Sequence, residues 1–177
     1  MTYLYDYNSP LGKITMASDG EALIGLWFEG QKYFKASVKG ECKQKSLPIF
    51  DETIKWLDIY FSGKEPDFTP KLLIAGTPFR KAVAEIMLTI PYGKTMTYGE
   101  IAQKIAEQEG LSKMSAQAVG GAVGHNSISI IIPCHRVVGA NGSLTGYAGG
   151  IDRKIEILKL EKADMTGLFI PKKDTAL

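Results

Sequence analysis

Long apolar runs are absent from this chain of 177 residues. No stretch is long enough to cross a bilayer, and residues 1–6 lack the basic start and apolar core of a signal peptide. We therefore expect an intracellular, cytoplasmic protein with no membrane partner. The length is sufficient to bury a proper core, either as one domain or as two small lobes.

Cysteine and histidine are also scarce, with two of each in the sequence. Cys42, Cys134, His125 and His135 do not have the spacing of a zinc site. A disulfide between the two cysteines is formally available, but an intracellular chain favours two free thiols. The scarcity of these residues predicts neither a disulfide framework nor a structural zinc centre.

Acidic residues are missing from one long interval. The net charge of +2 is too small to indicate a nucleic-acid-binding protein by itself. Between Glu109 and Asp152, however, the sequence contains no acid, while Lys113 and Arg136 lie inside the interval. A DNA duplex could approach such a surface without repulsion. A nearly neutral stretch that lacks acids by chance explains the pattern equally well.

The N-terminal part of the chain is typical of a small α/β lobe. Residues 2–28 alternate apolar and polar side chains around two turn signals, which predicts a three-stranded antiparallel meander. Helical periodicity follows at Pro48–Phe61. Residues 62–76 contain prolines and glycine and predict a connection, with room for one short strand at Lys71–Ala75.

The C-terminal part is mainly helical in pattern. Thr77 predicts a helix N-cap, and the capping box at Thr97–Glu100 predicts the start of a second helix. Ser112 or Ser115 can cap a third helix, and the second and third helices together predict a helix-turn-helix. A last helix is expected at residues 151–162.

The most informative segment is 130–137, IIIPCHRV, where Pro133 interrupts an apolar, strand-like run. A cysteine is a nucleophile as its thiolate, and His135 and Arg136 are placed to lower the pKa of Cys134. Neighbours in an extended segment point to opposite faces, so His135 must act through a turn at Pro133 or through a water. The alternative is an ordinary buried cysteine at the end of a strand.

Residues 132–150, IPCHRVVGANGSLTGYAGG, form the most specific motif of the chain. Upstream motifs at 77–79, 90–102 and 118–123 occur in matching order, and together they resemble the O6-alkylguanine-DNA alkyltransferase family. The resemblance implies a methylated-DNA–protein-cysteine methyltransferase that repairs DNA by direct damage reversal. It also implies an α/β (α+β) fold, with a ribonuclease-H-like lobe at 1–76 and a winged-helix-like lobe at 77–177.

The reaction that this resemblance implies is an irreversible, stoichiometric transfer of the O6-alkyl group from a flipped guanine to Cys134. No cofactor or metal is implied, the partner is double-stranded DNA containing O6-alkylguanine, and the protein would be a monomer. Whether O4-alkylthymine is a second substrate stays open. His135 would take the thiol proton through a water, and Glu161 would hold His135.

Two further residues receive a role from the resemblance. Asn126 would brace the turn before the active site, and Tyr98 would offer its hydroxyl to the base. Plain core packing is the alternative for Tyr98, and a solvated position on the last helix is the alternative for Glu161.

The third helix of the second lobe is unusual because it holds three glycines, each costing up to about 1 kcal/mol relative to alanine. Either another helix or the minor groove of DNA must approach it closely. Many relatives have an arginine where this chain has Gln117, so we expect weaker DNA affinity. The residues that the resemblance assigns to DNA or substrate are Ser115, Ala116, Gln117, Gly120, Gly121, Arg136, Val137, Tyr147, Ala148, Gly149 and Lys154.

Three other functions remain open at this point. A cysteine hydrolase built on Cys134, His135 and Glu161 would turn over repeatedly, but it leaves the helix-turn-helix unexplained. A module that only binds alkylated bases is disfavoured by the presence of Cys134. A transcriptional regulator is less consistent still, because its recognition helix would usually be more basic.

Overall fold

The computed structural model describes residues 1–172, which form two compact units. The first comprises Met1–Ala75 and Ser127–Ile131, and the second comprises Gly76–Asn126 and, among the described residues, 132–172. The mixed α/β fold predicted from the sequence is confirmed. The predicted division at residues 76 and 77 did not include the return of Ser127–Ile131 to the first unit, because so short an excursion leaves no change in composition.

The first unit is built on a four-stranded sheet of order β3-β2-β1-β4. Strands β1 (Thr2–Ser9), β2 (Gly12–Ser18) and β3 (Leu23–Phe28) form the antiparallel meander that the alternation predicts. A short strand, β4 (Cys42–Gln44), pairs in parallel with β1. All of β4 is exposed, so it has no apolar alternation by which the sequence could reveal it.

Helix α1 (Pro48–Phe61) has the bounds that its periodicity predicts and packs on one face of this sheet. The ring of Phe50 stacks on Tyr5 with centroids 5.8 Å apart, and Phe61 stacks on Tyr7 at 6.3 Å. Because side chains alternate along a strand, Leu4 points to the other face, where it joins a separate apolar cluster with Ala17 and Trp27.

Two outlying segments bond to β3. The short strand predicted at Lys71–Ala75 is only a single bridge, in which Leu23 exchanges backbone hydrogen bonds of 2.8 and 2.9 Å with this segment. On the same strand, Leu26 N donates to Ser127 O at 2.8 Å, and Ser129 N donates to Leu26 O at 2.9 Å. These last bonds are what make residues 127–131 part of the first unit.

The second unit contains four α-helices within its described residues, and three of them begin at the caps that the sequence predicts. Thr77 caps α2 (Pro78–Leu88), the Thr97–Glu100 capping box starts α3 (Tyr98–Glu109), and Ser115 rather than Ser112 caps α4 (Ala116–Gly124). Helices α3 and α4 pack together as the predicted helix-turn-helix. Helix α5 (Ile151–Leu160) is slightly shorter than predicted and leaves Glu161 as its C-cap.

A small parallel ladder completes this unit. Strand β5 (Met96–Thr97) pairs with β6 (Val137–Val138), and 3-10 turns at Cys134–Arg136 and Ala140–Gly142 flank β6. The ladder places the start of α3 beside the segment that carries Cys134. In the described part of the chain, no helix has both the length and the apolar character that crossing a membrane requires.

Candidate active site

Cys134 lies in a tight turn. The strand-like interpretation of residues 130–132 is wrong, because these residues form turns and a bend. Pro133 has φ −83° and ψ 64°, and Cys134 N donates to Ile132 O at 2.8 Å, which is the geometry of an inverse γ-turn. The 3-10 turn Cys134–Arg136 follows directly. Because successive side chains of such a turn point about 120° apart, neighbours in the sequence reach different surroundings.

The Cys134 side chain is buried, with 4% of the residue exposed. Burial raises the pKa of the thiol above its ordinary value. The sequence predicted that the charges of His135 and Arg136 would lower this pKa, but the main opposing contacts are a hydrogen bond with the Asn126 side chain and the positive charge of Lys154. The resting thiol is therefore protonated and needs a base.

His135 and Glu161 form a fully buried pair in which Nε2 of His135 lies 2.6 Å from Oε2 of Glu161. Burial lowers the pKa of His135 below its ordinary value of 6.5, more than the neighbouring carboxylate raises it. The imidazole is thus neutral, and since an ionised carboxylate can only accept, Nε2 carries the proton. The nitrogen with basic character is therefore Nδ1.

Glu161 is held by several donors besides His135. Arg136 donates to it from Nε at 2.8 Å and from Nη2 at 3.0 Å, and Gly93 N donates at 3.1 Å. Burial alone would raise the pKa of Glu161, but the contacts with His135 and Arg136 outweigh it and hold the pKa well below its ordinary value. The alternative of a solvated position for Glu161 does not apply, because its side chain is inaccessible to solvent.

Arg136 is a structural partner of this carboxylate, and its contact with DNA stays a prediction. Its side chain is only 11% exposed. Nη1 donates to Ile90 O at 2.7 Å, and the guanidinium lies 5.7 Å from the centre of the Tyr92 ring. Three of the five N–H donors of the guanidinium are therefore used inside the protein.

Lys154 is a second basic side chain that is engaged inside the protein. It was predicted to contact DNA or substrate, yet the residue is 0% exposed. Its Nζ donates to Val137 O at 2.5 Å and to Thr145 O at 3.0 Å. The ammonium therefore lies beneath the site, where its charge favours the thiolate of Cys134. Val137 O, predicted to recognise the base, accepts the ammonium in this structure.

The loop that follows β6 carries Tyr147 and contacts Tyr98, the first residue of α3. Tyr98 is buried and its hydroxyl donates to Thr145 O at 3.0 Å, so the core-packing alternative describes its present contacts. Gly146 has φ 80°, and a Cβ there would lie 2.6 Å from the Tyr98 hydroxyl. Tyr147 is also buried, whereas Ala148 and Gly149 are partly exposed.

Helix α4 offers its N-terminal turn to solvent. Ser115, Ala116 and Gln117 are exposed, whereas Gly120 is buried. A Cβ built on Gly121 would meet no atom within 4 Å. Gly120 is thus enclosed by the protein, whereas Gly121 leaves room for something outside the chain.

Sequence reasoning missed the roles of Arg136, Lys154 and Gly93. Gly93 has φ 74°, and a Cβ there would lie 2.9 Å from the backbone oxygen of Glu161. The Pro-Tyr-Gly turn of the sequence was a signal for this close approach. No comparable signal marks Lys154 as buried, because lysine is almost always exposed.

Comparisons with known proteins agree with this geometry. Residues 2–74 match the family model "6-O-methylguanine DNA methyltransferase, ribonuclease-like domain", and residues 78–163 match "6-O-methylguanine DNA methyltransferase, DNA binding domain". The methylated-DNA–protein-cysteine methyltransferase of Mycobacterium tuberculosis is 41% identical over 170 residues, covering 94% of this chain and 98% of that protein. The protein of the same name from Methanosarcina acetivorans is 43% identical over 160 residues, covering 90% and 97%.

Solved structures are similar as well. The OGT protein of Mycobacterium tuberculosis in complex with DNA matches with a TM-score of 0.78 at 41% identity, covering 90% of this chain and 92% of that one. An O6-methylguanine DNA methyltransferase from Methanococcus jannaschii matches with a TM-score of 0.61 at 30% identity, covering 96% and 99%.

Proposed function

The chain belongs to the 6-O-methylguanine DNA methyltransferase family, and from this we propose that its alkyl acceptor is the sulfur of Cys134. The protein is a methylated-DNA–protein-cysteine methyltransferase that repairs DNA by transferring an alkyl group to a cysteine. The observation that supports Cys134 most directly is that His135, its neighbour in the sequence, forms a fully buried pair with Glu161 in which Nε2 and Oε2 are 2.6 Å apart. The substrate we propose is O6-alkylguanine in duplex DNA.

In this mechanism the thiol loses its proton only when the reaction begins. His135 is neutral, its Nε2–H is held by Glu161, and Nδ1 accepts the thiol proton through a water. Glu161 fixes the tautomer and stabilises the imidazolium that forms. The sulfur then attacks the alkyl carbon, and because a thioether does not hydrolyse, each molecule acts once.

In our proposal, the exposed start of α4 contacts the DNA. Small side chains at Ser115, Ala116 and Gly121 allow this helix to lie in the minor groove while the damaged base is flipped out. Gln117 fills the gap without adding charge, so binding depends less on this helix for phosphate attraction. A monomeric state and a cytoplasmic location remain predictions.

Two alternatives, a cysteine hydrolase and a module that only binds alkylated bases, are less consistent with the structure. A hydrolase on the same residues would need no helix-turn-helix. A module that only binds alkylated bases would need neither the buried thiol nor the base that serves it.

The first test is mass spectrometry on protein mixed with a duplex that carries one O6-methylguanine. We expect a gain equal to one methylene on the Cys134 peptide, and no gain with an unmodified duplex. Cys134→Ser should bind the duplex but stay unmodified, while Cys42→Ser should react like the unaltered protein because Cys42 lies exposed in the first unit. Tight binding of the lesion without any gain in mass would reject the proposal.

A further inference from the structure

The Tyr147 hydroxyl is buried without a hydrogen-bond partner among the described residues. Only 8% of this residue is exposed. Burying a hydroxyl removes its hydrogen bonds to water, and without a new partner this desolvation costs free energy. Unsatisfied buried hydroxyls are therefore rare in native proteins and call for an explanation. A polar group that is satisfied only when a ligand arrives is one such reason.

Tyr147 lies close enough to the reactive groups to feel their charges. Burial raises the pKa of its phenol well above the ordinary value of 10.0, and the proximity of Cys134 raises it further. The phenol therefore stays protonated across the neutral pH range. It is a hydrogen-bond donor that sits near the attacking sulfur.

The other donors of this part of the site already have acceptors. The Tyr98 hydroxyl and the Lys154 ammonium both donate to Thr145 O. Arg136 is committed to Glu161 and Ile90. Of the three donors considered with it, none is left without an acceptor, whereas the Tyr147 hydroxyl has none among the described residues.

We propose that the Tyr147 hydroxyl donates a hydrogen bond to the guanine O6 while the bond between O6 and the alkyl carbon breaks. This inference rests on the proposed function. As the Sγ–carbon bond forms, the electron pair of the carbon–oxygen bond stays on O6, and the purine becomes transiently anionic. A donor aimed at that oxygen stabilises the charge where it develops. The proton that left the thiol finally neutralises the base, which departs as guanine.

Tyr147→Phe tests the proposal because it removes only the hydroxyl. We expect a rate of methyl transfer from the O6-methylguanine duplex that is lower on the order of 100-fold under single-turnover conditions. The affinity for the same duplex should stay unchanged, since the effect belongs to the transition state. The melting temperature should be equal or higher, because a buried, unpaired donor has been replaced by apolar surface.

Two controls separate this role from others. Tyr98→Phe removes a phenol that does have a partner, so its melting temperature should fall. Iodoacetamide alkylates a thiolate with iodide as the leaving group, which needs no hydrogen bond, so Tyr147→Phe should react with it at Cys134 at an unchanged rate. An equal fall in both reactions would assign the hydroxyl to the thiolate instead and overturn the proposal.

The remaining outcomes are also decisive. Unchanged methyl transfer in Tyr147→Phe, with normal transfer by the unaltered protein, would reject the inference and leave the proposed function intact. A lower melting temperature would reveal a structural partner for the hydroxyl and likewise overturn it. No transfer by the unaltered protein would instead reject the proposed function, and this inference with it.

Discussion

Lys154 is the residue whose position says most about how the thiol is activated. A lysine with no exposed surface is rare, and its ammonium must be compensated by polar groups. Here the compensation comes from two carbonyl oxygens, those of Val137 and Thr145. Carbonyls satisfy the ammonium without neutralising it, so its positive charge remains available to favour a thiolate at Cys134.

Lys154→Met should slow methyl transfer roughly tenfold at pH 7, because the thiol pKa rises when the nearby charge is lost. The rate should recover as the pH is raised, so the whole pH–rate profile moves to higher pH. Single-turnover transfer measured across a pH series checks this. Lys159→Met is the matched control, since it removes the same charge from an exposed position on the same helix. A profile that moves equally in both variants would exclude a local effect.

At the residue scale, the sequence identified Cys134, His135 and Glu161, and the structure brings the last two into direct contact. The charge that favours the thiolate comes from Lys154 and not, as expected, from Arg136. Adjacency to Cys134 suggested an effect of Arg136 on the thiol, but on a 3-10 turn the next side chains point elsewhere. The partners of a side chain depend on tertiary contacts between distant segments, which adjacency does not encode.

Among the elements, α4 loses helix stability through a glycine that its own packing does not explain. Gly121 is a helical residue with open space where a Cβ would stand. An alanine there would stabilise the helix by about 1 kcal/mol. The absence of that alanine is consistent with a surface reserved for the close approach of DNA.

Gly121→Ala should therefore raise the thermal stability slightly while weakening binding to an unmodified duplex by about tenfold, or about 1.4 kcal/mol. Thermal unfolding and a DNA titration at fixed salt concentration check the two effects. Gly99→Ala provides the matched control, because Gly99 is an exposed glycine of α3 with space for a Cβ. If Gly121→Ala bound DNA normally, the proposed minor-groove contact at this position would be wrong.

The elements differ in how well the sequence predicted them. Helices α2, α3 and α4 begin at side-chain caps, and a cap is a local interaction that can be read from the sequence. The apolar run Ile130–Ile132 looked like a strand because its side chains are indeed buried. Its backbone instead turns at Ile130, which has φ 70° despite its branched side chain. Long-range packing overrode the local preference there.

For the whole molecule, the buried pair predicts sensitivity to acid. The pKa values of His135 and Glu161 are both lower in the folded protein than their ordinary values of 6.5 and 4.5. Below these values the unfolded chain binds protons that the folded chain does not, so the folded state loses stability as the pH falls. The contribution is fully present above pH 6.5 and declines first through His135 and then through Glu161.

We therefore expect the free energy of unfolding to decrease below about pH 6.5, by at most about 1.4 kcal/mol per pH unit for each proton. Denaturant titrations at a series of pH values check this. His135→Gln should remove the upper part of the decrease and keep the lower part. Stability that stays constant from pH 7 to pH 5 would contradict the assignment of His135 as a buried neutral base.

The return of residues 127–131 to the first unit also bears on biosynthesis. The ribosome releases the N-terminal sheet long before it makes Ser127 and Ser129, whose backbone bonds to Leu26 complete the edge of β3. The first unit therefore lacks residues 127–131 until the helix-turn-helix has been translated. A nascent chain halted at Ala75 therefore leaves the backbone N–H and C=O groups of Leu26 without these partners.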